Sequence, residues 1–384
     1  MQYLDPLYGQ LEMTDKDVKL FQTEALTRLR DISLSVVPPL ATPSGIIASR
    51  FEHSVGVAHL ARRLSLRPEF QEQAVNLYLA SLFHDAGSPP FSHASEYFLE
   101  ELTGKDHEEY VVTVVEQSDA TKVIKDYGGN PGIIVRLITG KLKPWSDLVN
   151  GTIDLDNIDN SLRWGLGWGI FQNKFYEPEE LIQAYRLHDG NLALDVAYQP
   201  QIQQWELCRR LVYDVVYSDM NLAPGSMLFR ALELAFAHGE LAEEFFILTE
   251  SQALYVLEHR CNPQTRQLIH DMRHWLFYQL VASVVQEDTV TETMKTFCLD
   301  WRERQKIADI VAKALGVPQA AVGVYAGSNK GFKKIHLPFV GGEKPQEHQP
   351  LQKLSWRIKV YLHPQYQDKA AAAQAVVESL LAQE

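Results

Sequence analysis

His84 and Asp85 stand side by side in LFHDAGSPPFSH, where a strongly apolar stretch that reads as helix runs into a Gly-Ser-Pro-Pro turn. Two side chains that could complete a metal site with this pair, His53 and Asp156, lie on separate stretches that also read as helix. Neighbouring residues on a helix point about 100° apart, so both can address one ion only at a helix end. Bringing in His53 and Asp156 requires three helices to converge on one point, as they do in a helical bundle. The end of a helix also carries partial negative charge, which favours a cation there. Two imidazoles and two carboxylates form a mixed N/O set suited to one divalent ion: Fe, Mn, Ni, Co or Zn, or Mg. A His-Asp dipeptide alone is more commonly a capping histidine beside a solvated carboxylate; the placement of His53 and Asp156 gives it weight.

Periodicity predicts helices over 15–31, from Phe51 to about Leu66, over 71–85, and from His93 to Leu102 with Ser92 as N-cap. Asp106 and Glu109 have the spacing of a capping box for the next helix. Further helices are predicted over 153–166, 201–218, 227–237, 241–250 and 262–286. An Asp189-Gly190 turn between short alternating runs predicts a β-hairpin within 183–196. Residues 35–49, rich in Pro, Gly and Ser, read as loop. Beyond about residue 290 the pattern changes to a helix over 302–315, strands over 320–325, 332–339 and 355–363, and an Ala-rich closing helix. The fold class is therefore mainly α: a helical core over 1–290 with a short hairpin, and a small α+β lobe over 291–384.

Charge and cysteine content narrow the function classes. The chain has 384 residues, 36 basic and 49 acidic, for a net charge of −13. Bulk charge does not attract long nucleic acid or an anionic membrane, so any polyanion site must be a local concentration of cations. Three cysteines without a motif exclude a disulfide framework and a Cys-rich zinc module, and fit a reducing cytoplasm. The first residues lack the basic and apolar regions of a signal peptide, and no apolar stretch is long enough to span a membrane. The expected localisation is cytoplasmic.

Five words occur in order: DPLYG at 5–9, RFEHSVGVAHLA at 50–61, HDAGSPPFSH at 84–93, HE at 107–108 and DLDNIDNSLRWGLG at 154–167. This H…HD…D pattern resembles the HD superfamily of metal-dependent phosphohydrolases. The flanking words are similar to those of its deoxynucleoside triphosphate triphosphohydrolases, collinear over residues 5–172, with a weaker echo at 209–217. The resemblance implies an HD-domain helical bundle in which His53, His84, Asp85 and Asp156 hold a divalent metal. It places Arg50 and Arg209 on phosphate, and His93 and His107 beside the reaction. His107 is a candidate acid/base, with Glu108 or Glu96 as orienting carboxylate. It implies a homo-oligomer and a small phosphorylated substrate, a nucleotide.

Three departures fall around the substrate. Ser88 replaces a histidine of the group's H-D-x-G-H; serine holds no proton at neutral pH as imidazole does, but it can still bind the substrate by donating a hydrogen bond to a phosphate oxygen. Asn160 and Trp164 stand where the group has the tyrosine and aspartate that read the sugar, and Tyr217-Ser218-Asp219 replaces its Y-x-H. The expected function is metal-dependent hydrolysis of a phosphoester, with dNTP triphosphohydrolase, phosphomonoesterase and phosphodiesterase all open. The alternative is a catalytically weakened nucleotide-binding sensor or assembly module; a single-strand nuclease is disfavoured by charge. Trp145, Trp164, Trp168 and Trp205 read as core packing before they read as an aromatic box. The basic segment 328–334 reads as a solvated turn.

Overall fold

The computed structural model describes residues 1–34, 38–42, 47–287, 290–329, 334–342 and 354–381. Among these residues the chain is mainly helical, with small sheets. An N-terminal hairpin, β1 (Gln2–Asp5) and β2 (Gly9–Glu12), leads into α1 (Asp15–Phe21), α2 (Glu24–Arg28), α3 (Arg50–Leu64), α4 (Ala74–Phe83), α5 (His93–Thr103), α6 (His107–Gln117), α7 (Ala120–Tyr127), α8 (Pro131–Ile138), α9 (Leu155–Gly167) and α10 (Pro178–Leu181). The hairpin β3 (Tyr185–His188) and β4 (Asn191–Asp195) precedes α11 (Gln199–Val216), α12 (Asp219–Ala237), α13 (Glu250–His259) and α14 (Pro263–Arg273). The last part comprises β5 (Gln279–Gln286), α15 (Glu292–Leu299), α16 (Trp301–Leu315), β6 (Val322–Ser328), β7 (Phe339–Val340), β8 (Trp356–Leu362) and α17 (Ala370–Leu381).

The helices that matter for the site start where side chains satisfy their free N–H groups. Ser49 and Glu52 form a reciprocal capping box at α3: the Ser49 hydroxyl accepts from the Glu52 amide at 3.2 Å, and Glu52 accepts from the Ser49 amide at 2.9 Å. Asp154 caps α9 through the Asn157 amide at 2.7 Å, and Asp106 caps α6 through the Glu109 amide at 2.8 Å. The α3 helix lies between α4 and α9, buried along most of its length, so Arg50, His53 and Ser54 are enclosed among other helices. One apolar core runs through the helical part. A second one joins Ile307, Val311, Val324, Ile358, Val360 and Val377 in the sheet β5-β8-β6 and its helices. Both sheet pairings are antiparallel, with Val324 and Val284 facing Val360 and Ile358 respectively. The helix α12 packs on β6 and so couples this C-terminal layer to the bundle.

Several expected boundaries move, each for a local reason. The expected helix 15–31 is three pieces: α1, α2 and a 3-10 turn Leu29–Asp31, because the Thr23 hydroxyl turns back onto the Leu20 carbonyl at 2.7 Å. Residues 68–73 are 3-10, and α4 begins at Ala74. Residues 241–250 hold only a 3-10 turn, Glu243–Ile247, and α13 follows unforeseen. The expected helix 262–286 stops at Arg273, and Trp275 adopts φ 57. The β-branched run beyond it is strand β5, which pairs with β8 through contacts distant in sequence. Ser92 does not cap α5 with its side chain; at φ 53 its hydroxyl serves Arg50 and the Ser33 carbonyl instead. The expected hairpin at 183–196 is β3–β4. Of the expected strand 332–339, only Phe339 lies in a strand among the described residues, pairing parallel to Leu194. Residues 35–37 and 43–46 of the expected loop, and 330–333 of the basic segment, lie outside the described residues.

Candidate metal centre

Three helices bring the expected ligands together. His53 comes from the first turns of α3, His84 and Asp85 follow the last residue of α4, and Asp156 lies in the first turn of α9. His53 Nε2 lies 3.2 Å from His84 Nε2 and 3.0 Å from Asp156 Oδ1. Asp85 Oδ2 is 3.8 Å from His53 Nε2 and 3.6 Å from His84 Nε2. His53, His84 and Asp156 each offer one ligand atom within 4.8 Å of the others. The helix end resolves the adjacency problem: His84 and Asp85 leave α4 where the chain turns, so both can point the same way.

The chemistry of this donor set fits a divalent cation. His84 Nδ1 is 2.8 Å from the Ser81 carbonyl, and His53 Nδ1 is 2.7 Å from Asp159 Oδ1. With each Nδ1 turned outward to an acceptor, the two Nε2 atoms converge, the arrangement that orients histidines on a metal when the His53 proton is displaced. Asp85 Oδ2 is buried and has no hydrogen-bond partner among the described residues. Arg50 pairs with the other Asp85 oxygen, which leaves Oδ2 facing the two imidazoles and able to serve a cation. Burial works against charge on His53, yet Asp156 and Asp159 outweigh it and raise the imidazole to about 9. Arg50, His84 and His53 hold Asp85 well below the usual carboxylate range despite its burial.

A second layer fixes His53. Asp159 is fully buried, and Arg163 holds it ionised, at about 2, against the effect of burial. Arg163 Nε and Nη2 reach the two Asp159 oxygens at 2.8 and 2.9 Å, and Nη2 also meets Asp5 Oδ2 at 3.1 Å. Tyr8 donates its hydroxyl to Asp159 Oδ2 at 2.9 Å. The N-terminal DPLYG word therefore acts through α9 on a ligand of α3.

His93 and His107 share one carboxylate. His93 Nδ1 lies 2.8 Å from Glu96 Oε2, and His107 Nδ1 bonds the other Glu96 oxygen. Burial opposes charge on His107, but Glu96 raises its pKa. Glu108 is raised to about 7 by burial, with Asn150 donating to it at 2.6 Å.

These groups open onto one cavity of about 610 Å3. Arg50, His84, Asp85, His93, His107, Glu108, Asp156 and Asn160 all line it, and Trp164 forms part of the wall. Arg50 bonds Asp85 and sets Nε on Ser92 at 2.9 Å. Asn160 donates to Asp156 Oδ1 at 2.8 Å. Two expected substrate residues are not among the lining residues. Ser88 is buried and donates to Asp85 Oδ1 at 3.2 Å; Arg209 is buried against Asn157 Oδ1 at 2.8 Å and over the Tyr213 ring. Of the four tryptophans, Trp205 and Trp145 pack in the core, and Trp164 stacks on Trp168 with 5.1 Å between centroids.

Sequence reasoning missed three supports. Arg28 clamps the turn after Asp85 by donating to the Ala86 and Ser88 carbonyls at 2.8 and 2.7 Å. Glu250 accepts from the Ser33 amide, the Ser33 hydroxyl and the Phe91 amide at 2.9, 2.8 and 3.1 Å, which steadies the turn that carries Ser92 to Arg50. Asp159 and Arg163 stood in the matched word, but nothing in sequence spacing showed that they reach His53. For Glu250 there was no signal: its partners are 217 and 159 residues away.

Comparison with known proteins agrees with this geometry. The HD domain family matches residues 50–164, the segment holding the four expected ligands. A deoxynucleoside triphosphate triphosphohydrolase SAMHD1 homolog of Dictyostelium discoideum is 31% identical over 179 residues, 40% of this chain and 34% of that protein. The chain spans about half the length of the first curated relatives it matches. A hypothetical protein from Aquifex aeolicus has the same fold, with a TM-score of 0.76 and 20% identity over 97% of this chain and 99% of that one. So does a phosphohydrolase from Bacteroides thetaiotaomicron, with a TM-score of 0.70 and 17% identity over 94% of this chain and 100% of that one. With three helices converging His53, His84, Asp85 and Asp156 inside the matched segment, this chain is an HD-domain protein with distant homology to the SAMHD1-like deoxynucleoside triphosphate triphosphohydrolases.

Proposed function

We propose that this protein is a metal-dependent phosphohydrolase acting on a phosphoester of a nucleotide or a related small phosphate. The observation that carries the reading is the unpartnered Asp85 Oδ2 facing two converging imidazole Nε2 atoms on the wall of a substrate-sized cavity. His53, His84, Asp85 and Asp156 would hold the ion. When bound, a divalent ion supplies Lewis acidity toward a phosphoryl oxygen and lowers the pKa of water.

The chain's own residues do the rest. Arg50 supplies a guanidinium beside the ligands for a phosphate oxygen. Glu96 holds His107 by Nδ1, which leaves Nε2 to carry a proton for the substrate. Glu108, raised to about 7, is present in both protonation states near neutral pH and so can give or take a proton. Arg209 and Ser88 act as positioning residues, Arg209 through Asn157 and Ser88 through Asp85. A relative named as a deoxynucleoside triphosphate triphosphohydrolase, the SAMHD1 homolog of Dictyostelium discoideum, favours the same reaction class. Deoxynucleoside triphosphates are the first substrates to test; monophosphates and dinucleotides follow, because Asn160 and Trp164 depart from the sugar-reading pair of the triphosphohydrolases.

The test is a product-resolved screen of dNTPs, NTPs, monophosphates and dinucleotides with Mn, Fe, Ni, Co, Zn or Mg. Elemental analysis of protein purified without added metal accompanies it, with His84→Ala and Asp85→Ala as controls. Bound metal lost in both variants, with phosphate, pyrophosphate or triphosphate release, is the expected result. No metal and no product would refute the reading. Thermal stabilisation by nucleotide without turnover would favour a sensor instead.

A further inference from the structure

The cavity that holds the metal centre is completed by the C-terminal layer: Cys298, Arg304 and the strand β6 line it together with the α12 residues Asn221, Ser226 and Phe229. Arg304 is 7% exposed, and its Nε and Nη2 have no hydrogen-bond partner among the described residues. The guanidinium carbon lies over Phe229, 3.9 Å from the ring centroid, and 5.4 Å from that of Tyr97. Two more buried polar atoms on the same wall are unpartnered: Ser226 Oγ and Asn221 Oδ1. The nearby carboxylate Glu233 is already bound to Arg230 at 3.0 Å. Tyr97 follows His93 by one turn of α5, about 6 Å along the helix. The Arg304 group is therefore separate from the metal ligands yet opens onto the same space.

A buried guanidinium with free in-plane donors is costly unless a ligand supplies the acceptors, and the fork of Nε and Nη2 matches the two oxygens of an oxyanion. We propose that Arg304, with Ser226, forms a second oxyanion subsite, so that the substrate carries two anionic groups. One is the scissile phosphoester at the metal centre. The other is a phosphate or carboxylate read by the C-terminal layer, with an apolar or aromatic middle between them against Phe229 and Tyr97. This rests on the phosphohydrolase reading and names the substrate class for it.

The experiment compares alkyl monophosphates, alkanediol bisphosphates and ω-phosphooxyalkanoates of graded chain length, by calorimetry on the full chain with Mn2+. At the best-fitting length the bisphosphate or the phosphooxyalkanoate binds about 10–100-fold more tightly than the monophosphate. Whichever of the two wins identifies the second anion. In Arg304→Gln this advantage collapses, and in Arg304→Lys, which keeps the charge without the fork, it is partly retained. Melting temperature separates binding from structure: loss of an unpartnered buried cation leaves Arg304→Gln as stable as the parent or more so. A second anion that adds nothing, or a variant that loses stability and weakens mono- and bisphosphates alike, overturns the proposal. Turnover of monophosphates in that case leaves the phosphohydrolase reading standing. No binding of any phosphate and no turnover would overturn both.

Discussion

Replacing Gly56 by alanine tests the link from the N-terminal hairpin to the metal centre. Gly56 sits on α3, one turn after His53. A methyl carbon there meets Asp159 Oδ2 and Arg163 Nη2 well inside 3.0 Å, and Tyr8 Cε2 at 2.9 Å, where ordinary contact begins at 3.4 Å. The carboxylate and guanidinium must withdraw by roughly 1 Å to restore normal contact. Both are almost fully buried, so the displaced groups find no water to replace the bonds they lose. Breaking a buried ion pair costs about 3–5 kcal/mol, and overpacking alone about 1–3 kcal/mol. A loss of about 3 kcal/mol is therefore expected, read as a lower urea midpoint with unchanged slope. His53 loses the Nδ1 acceptor that orients it, so metal affinity falls about 10–100-fold. The assay pairs urea denaturation with metal titration on Gly56→Ala, Asp159→Asn and the double variant. Because the methyl acts through Asp159, the two effects on metal affinity must be less than additive. An unchanged midpoint and unchanged affinity in Gly56→Ala, or additive effects in the double variant, would refute the reasoning.

Three further outcomes are expected. In Gly87→Ala the new carbon runs into the His107 carbonyl oxygen and the Val111 amide nitrogen, the latter at 2.5 Å, so α6 must shift. Stability falls by about 1–3 kcal/mol, and turnover falls because His107 and Glu108 move; a crystal structure with α6 unmoved counts against this. For the best substrate of the screen, a rate limb falling as pH rises through about 7 is expected, because burial keeps Glu108 protonated up to that pH. Glu108→Gln removes the limb; its persistence in the variant rules Glu108 out as the proton donor. Glu250 is also raised to about 7 by burial, and its Oε2 is unpartnered. The unfolded carboxyl ionises near 4.5, so the native state binds the extra proton and loses stability as pH rises from there through about 7. Glu250→Gln keeps the acceptor for Ser33 and Phe91 without the charge. It should match the parent near pH 5 and exceed it by about 2–3 kcal/mol above pH 7, and equal stability at both pH values refutes the assignment.

The sequence disclosed the metal centre better than the cavity, for a physical reason. His53, His84, Asp85 and Asp156 sit at helix ends and first turns, where local pattern and capping residues fix the backbone. Their convergence needs only the three helices that carry them. Strand β5 was hidden because its partner β8 lies some seventy residues on, and periodicity in a short apolar run does not separate strand from helix. Arg209 and Ser88 were expected on the substrate, yet each faces the protein side of a residue that touches the cavity. Side-chain direction at that level follows from packing rather than spacing. Arg304 gave no signal at all, since its meaning comes from missing partners, which no pattern in the chain records.

The charges around His53 do not cancel. Asp5, Asp85, Asp156 and Asp159 bring four negative charges into one connected group, and Arg50 and Arg163 return two. The surplus of two matches the charge of one divalent ion, while the carboxylates themselves are held ionised by Arg50, Arg163 and the two imidazoles. It also explains why a proton on His53 is held so firmly: it supplies part of the missing positive charge. Metal binding must displace that proton, so affinity rises with pH as the imidazole is freed. With a divalent ion held there, the cavity wall would offer Arg50, His107 paired with Glu96, and Arg304 to an incoming anion. A net charge of −13 is thus compatible with the proposed small phosphate substrate, because the cations that would meet it line one cavity.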